Sequence, residues 1–79
     1  MREHLLGKLS EAKRKHKEQE MLANSALTLI IMKADGFETD FTRLETALIK
    51  TNADALHRYC EEMRSLTKQI ETLERELGL

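Results

Sequence analysis

Apolar residues repeat every seven positions through the last part of the chain, without an interruption. In heptad notation, the a positions hold Leu56, Met63, Ile70 and Leu77, and the d positions hold Tyr59, Leu66 and Leu73. Alternating spacings of three and four place these side chains on one stripe of an α-helix. A repeat sustained over three heptads is typical of a coiled-coil seam. This segment therefore predicts a long helix that packs along a second helix.

A single break divides the chain into two helical patterns. The chain contains no proline and three glycines, and it is rich in the residues that favour helices. Gly36, after Asp35, can close a helix in the left-handed conformation, and Thr39 or Asp40 can cap the next one. A short connection returns the second helix antiparallel to the first. We therefore predict an all-α antiparallel helical hairpin in a single domain over residues 1–79, with a helix over about 3–34, a turn over 35–39 and a helix over about 40–77.

The second helix carries two apolar stripes that do not share one register. Phe41, Leu44 and Leu48 form the first stripe, whereas the seam extended backwards reaches Ile49 and Asn52. This mismatch predicts a stutter or kink near residues 51–54. The alternative is that Asn52 caps a separate third helix. We favour one continuous helix because neither glycine nor proline interrupts it. At about 1.5 Å per residue the helices would be about 45 and 55 Å long, so the second would extend past the first or pair with another copy.

The first helix has a stripe of apolar or small residues that fails in the middle. Its members are Leu6, Leu9, Ala23, Leu27, Ile30 and Ala34. Residues 12–20 are polar all round, which is typical of a projecting or solvent-bridging segment. From Met21 to Met32 the apolar side chains point in nearly every direction, more than one antiparallel neighbour would cover. This segment needs to be surrounded.

Two groups of residues are candidate functional sites. Lys13-Arg14-Lys15-His16-Lys17 is a basic run that would contact phosphates, but acidic neighbours and the lack of interleaved aromatics favour a solvated helix face. His57, Cys60 and Glu61 lie within two turns, yet one helix supplies only part of a metal's ligands. With 13 basic and 14 acidic residues, the net charge of −1 gives no general attraction to nucleic acid. We expect no catalytic site, metal or cofactor.

The chain has few features of a membrane or secreted protein. Met1 to Lys17 lacks the apolar core of a secretory signal, and the apolar stretch from Met21 to Met32 is too short to span a bilayer. One cysteine excludes an internal disulfide framework. These features favour the cytoplasm or another reducing intracellular compartment.

A chain of 79 residues buries only a modest core, so oligomerisation or docking on a partner is the expected source of stability. We predict an oligomeric helical-hairpin protein-interaction module, an adaptor or assembly subunit, with a homodimer favoured. The alternatives are an obligate small subunit or chaperone of a larger complex, and a nucleic-acid-binding regulator that uses the basic run 13–17. The expected interface residues are Leu22, Leu27, Leu29, Ile30, Ile31, Phe37, Phe41, Leu44, Leu48, Leu56, Tyr59, Met63, Leu66, Ile70, Leu73 and Leu77.

Overall fold

The computed structural model describes residues 2–34 and 44–79, and it contains two helices packed against each other. Helix α1 spans Arg2–Ala34 and helix α2 spans Thr46–Leu77. No strand occurs within the described ranges. The predicted all-α hairpin is confirmed, and it forms a rod with extents of 59 × 16 × 14 Å.

Polar contacts at both ends show that the helices are antiparallel. At one end, Arg2 Nη1 donates a hydrogen bond to the carbonyl oxygen of Leu77 at 3.1 Å. At the other, Lys33 Nζ lies 2.7 Å from Glu45 Oε2. Helices of 33 and 32 residues therefore match along their length. The expectation that the second helix extends past the first was wrong.

The second helix begins later than the sequence predicted. Glu45 has φ −81° and ψ 70°, outside the helical region, and Ile49 N donates the first helical hydrogen bond to Glu45 O at 3.1 Å. Thr46 N also donates to Leu44 O at 2.9 Å, a tight turn just before the helix. The shortening explains why α2 does not overhang α1. The proposed turn 35–39 and the caps Thr39 and Asp40 lie outside the described residues.

The inward stripe of α1 runs along the whole helix. It shares Leu9, Ala23 and Ile30 with the predicted stripe, but elsewhere it is shifted by one residue. Leu6 and Leu27 are exposed. Residues 12–20 were wrongly expected to project, since Ala12 is buried and Lys13 Nζ lies 3.7 Å from Glu74 Oε2 of α2. Long polar side chains can cover an apolar neighbour with their carbon atoms, so the polar stretch still packs. The buried or half-buried positions are Leu5, Leu9, Ala12, His16, Gln19, Ala23, Ala26, Ile30 and Lys33.

The inward stripe of α2 keeps one register from its first turns to its end. Ile49 and Asn52 are half-buried in step with Leu56, whereas Leu48 is exposed. The predicted stutter near residues 51–54 is therefore absent from the described helix. Asn52 caps no third helix, because its Nδ2 donates to Leu48 O at 2.9 Å within α2. The stripe continues through Leu56, Tyr59, Met63, Leu66, Ile70, Leu73 and Leu77, all buried or half-buried.

The core between the helices is thin. Within the described ranges its buried side chains are Leu9, Ala12, Ala26, Leu66 and Leu77. The alanines of α1 let the larger side chains of α2 approach closely. Two helices alone cover one stripe of each, which leaves the remaining apolar side chains exposed.

Candidate protein-interaction surface

One side of the hairpin carries a row of residues from each helix, and we call it the leucine face. In each helix, the residues of the row come directly before alternate residues of the inward stripe. The residues of one row are therefore seven positions apart. In an antiparallel pair these two rows flank the inward stripes on the same side. The α1 row is Lys8, Lys15, Leu22 and Leu29, and the α2 row is Leu48, Ala55, Glu62, Gln69 and Glu76.

The leucine face is apolar at the end of the hairpin where Ala34 and Leu44 lie, the Ala34 end. There the exposed fractions of Leu22, Leu29 and Leu48 are 45%, 42% and 45%. Ala55 is half-buried beside them. An apolar cluster of this kind on a water-exposed surface typically marks an interaction site.

The same face is polar at the opposite end, the Arg2 end, where Arg2 meets Leu77. An open groove between the helices is lined there by Lys8, Lys15 and Gln69, together with Ser65 and Thr72. This groove shows that the two rows do flank one side of the hairpin. The ion pair of Lys13 with Glu74 lies on the other side.

The second half of α1 exposes apolar side chains beyond the leucine face. Of the nine large apolar side chains that are exposed in the described residues, six lie between Met21 and Met32. Ile31 and Met32 are the most exposed of the isoleucine and methionine side chains here, at 59% and 64%. The hairpin by itself therefore leaves this segment mostly uncovered.

The structure divides the predicted interface residues into two groups. The residues that are buried or half-buried within the chain are Ile30, Leu44, Leu56, Tyr59, Met63, Leu66, Ile70, Leu73 and Leu77. Exposed residues, which remain available to another molecule, are Leu22, Leu27, Leu29, Ile31 and Leu48. Phe37 and Phe41 lie outside the described residues.

Several residues that form the core or the exposed surface were missed by the sequence analysis. Ala12 and Ala26 are buried, and Leu6, which the predicted stripe contained, is exposed. The signal for the core alanines was present, because spacings of three and four run unbroken from Leu9 through both. It was missed because the predicted stripe stepped by four residues from Leu9 to Lys13 and from Ala23 to Leu27, where the inward stripe steps by three.

Two cations of the basic run, Lys13 and Arg14, form ion pairs within the described residues. Arg14 contacts the carboxylates of Glu11 and Glu18, and Lys13 pairs with Glu74. The hydrogen bond from Arg14 holds the pKa of Glu11 below its ordinary value, and the same contact raises the pKa of Arg14. These pairs favour a solvated helix face over a phosphate-binding site.

The three residues considered for metal binding do not share one site. Cys60 is half-buried, and it lines one groove together with Glu61, His16 and Met63. His57 lines a different groove with Asp54 and Arg58. In the ranges that the structure covers, no cluster of three or more potential metal ligands is found.

Comparison of the chain with protein-family models, with curated proteins and with solved structures gave no match. Neither α1 nor α2, as far as the structure describes the chain, combines the length and apolar character needed to cross a membrane.

Proposed function

We propose that this chain is an oligomeric helical-hairpin protein-interaction module, an adaptor or assembly subunit that acts by binding protein chains and not by catalysis. The observation that carries the proposal is the apolar surface formed by Leu22, Leu29 and Leu48 on the leucine face. In this proposal the stripe of α2 packs against α1 as a coiled coil, and the leucine face is covered by another chain, with a homodimer favoured.

The large accessible surface area of the chain supports the proposal that another chain covers part of it. The hairpin exposes 6157 Å². A compact protein of 9.2 kDa would expose about 4,900 Å². The excess is a consequence of the elongated two-helix shape, which encloses only a thin core. Assembly into a bundle would remove part of it from water.

Burial of the exposed leucines is large enough to decide whether the assembly forms. Each such side chain contributes about 1.5–3 kcal/mol when fully buried, and about half of that is still available at these exposures. A homodimer would bury Leu22, Leu29 and Leu48 from both copies. The sum is comparable to the marginal stability of a small domain.

A heteromeric assembly is a second candidate, supported by the opposite side of α1. Leu27 and Ile31 are exposed there, away from the leucine face. A homodimer that uses only the leucine face would leave them in water. A different protein that docks along this side would cover them, as expected for an obligate subunit or chaperone.

The proposal is tested by placing a charge on the apolar surface. We expect Leu29→Lys to dissociate the homo-oligomer, because desolvating an ammonium group without a partner is costly. Sedimentation velocity across a range of concentrations would measure the change in mass. Circular dichroism would show whether the variant retains its helices.

Thr28→Lys provides the matched control, since Thr28 is exposed on the same turn and points away from the leucine face. It should leave the mass unchanged. A wild-type chain that is a stable monomer at high concentration would contradict the homo-oligomer, as would a Leu29→Lys variant of unchanged mass.

A further inference from the structure

The two rows of the leucine face change character in the same direction along the rod. From the Arg2 end, the α1 row reads Lys8, Lys15, Leu22, Leu29. From the same end, the α2 row reads Glu76, Gln69, Glu62, Ala55, Leu48. Both rows are therefore polar at the Arg2 end and apolar at the Ala34 end, and their charges have opposite signs.

The heights of these residues along the rod follow from the contacts at its two ends. Arg2 meets Leu77, and Lys33 meets Glu45. This antiparallel register places Lys15 at the height of Glu62 in α2 and Leu29 at the height of Leu48. Neither Lys15 nor Glu62 takes part in an ion pair among the residues that the structure describes.

Resting on the function proposed above, we infer that the occupant of the leucine face is a second copy of this chain, arranged with its Ala34 end beside the Ala34 end of the first. The two-fold axis then runs parallel to the rod. Helix α1 of each copy lies antiparallel to α2 of the other, as neighbouring helices do in a four-helix bundle. Lys15 of each copy faces Glu62 of the other, and Leu29 faces Leu48.

The reverse arrangement, with the Ala34 end of one copy at the Arg2 end of the other, is disfavoured by the same rows. It would place the leucines of one copy against Lys8, Lys15 and Glu76 of the other. Charged side chains would lose water without gaining an opposite charge. With like ends together, opposite charges face each other and apolar side chains face apolar side chains across the two copies. This complementarity favours that arrangement.

Mixing two single-charge variants tests the cross-chain pairing. Lys15→Glu alone places two carboxylates together at each contact, and Glu62→Lys alone places two ammonium groups together. We expect each to weaken homodimerisation by about tenfold, because each dimer contains the contact twice.

In a mixed dimer of the two variants, both contacts again join opposite charges. The mixed dimer should therefore be at least about tenfold tighter than either variant homodimer. Native mass spectrometry of the mixture, with one variant isotope-labelled, measures the proportions.

Lys17→Glu mixed with Glu71→Lys is the matched control, since both residues are exposed off the leucine face and the net charges are the same. This mixture should show no preference for the mixed dimer. Equal preference in both mixtures, or none in the Lys15 and Glu62 mixture, overturns the inferred pairing. If wild type is still a dimer that Leu29→Lys dissociates, the proposed function survives that result. A monomeric wild-type chain would contradict both the proposed function and the inferred pairing.

A distance measurement tests the arrangement independently of the charges. A spin label attached at Arg75→Cys, in a Cys60→Ser background, reports the distance between the Arg2 ends of the two copies. Both rows of the leucine face keep their wild-type residues in this variant. Like ends together place the labels within about 30 Å, because packed helices lie about 10 Å apart. The reverse arrangement would separate them by much of the 59 Å length of the rod, and that result would overturn the inference.

Discussion

The two glycines in the described part of the chain occupy opposite backbone situations. Gly7 lies inside α1, and a Cβ atom added there would meet nothing within 4 Å. Gly78 follows α2 with φ +75°, in the left-handed conformation. Its N–H donates to Arg75 O at 3.1 Å, and Leu79 N donates to Glu74 O at 2.8 Å. One glycine therefore weakens a helix, whereas the other closes one.

Replacement of each glycine by alanine should change stability in opposite directions. Gly7→Ala should raise the free energy of unfolding by about 0.5–1 kcal/mol, since alanine loses less backbone entropy in a helix. Gly78→Ala should lower it by up to about 1 kcal/mol, because a Cβ atom disfavours positive φ. Urea unfolding followed by circular dichroism measures both. Shifts of the same sign would contradict this account of the two conformations.

Polar residues stand on the inward stripes without being fully buried. His16 and Gln19 of α1 and Asn52 of α2 are half-buried, at the edge of a thin core. Their polar atoms can reach water while their carbon atoms cover neighbours. This explains why a stripe containing them still packs, although in the sequence they resembled an interruption.

At the scale of the helices, packing of large α2 side chains against the small residues of α1 holds the hairpin together. Leu66 has an exposed fraction of only 3%. Leu66→Ala should cost about 2–4 kcal/mol, from lost burial and the cavity left behind. Thr67→Ala is the neighbouring control: its exposed hydroxyl donates only to Met63 O, and alanine favours helix. Thermal unfolding of both variants compares them, and similar losses would contradict the packing of Leu66 against α1.

At the scale of the whole molecule, a rod of 59 × 16 × 14 Å encloses only the thin core between its two helices. If assembly supplies the missing burial, folding and association are linked by mass action. The melting temperature of the wild-type chain should then rise with protein concentration, and that of Leu29→Lys should not. Differential scanning calorimetry over a hundredfold range of concentration measures this. A wild-type melting temperature independent of concentration would contradict linked assembly.

The sequence by itself determined the helical class, the hairpin and the inward stripe of the last three heptads. Helix propensity and heptad spacing act over a few residues, so Leu56 to Leu77 could be placed on one stripe without knowledge of α1. The absence of proline and glycine from this segment likewise predicted a continuous helix. These features are local, and no distant contact overrides them.

Only the tertiary structure decided which stripe of α1 faces inward and which leucines remain exposed. A shift of one residue exchanges Leu6 for Leu5 and Leu27 for Ala26, and apolar character alone favours the larger residues. Once α2 presents its long stripe, close packing selects alanines at the facing positions of α1. The same constraint keeps Ile49 and Asn52 in register and turns Leu48 outward beside Leu29. Which side chains are left uncovered is thus a property of the pair of helices, because each helix hides only the stripe that the other can reach.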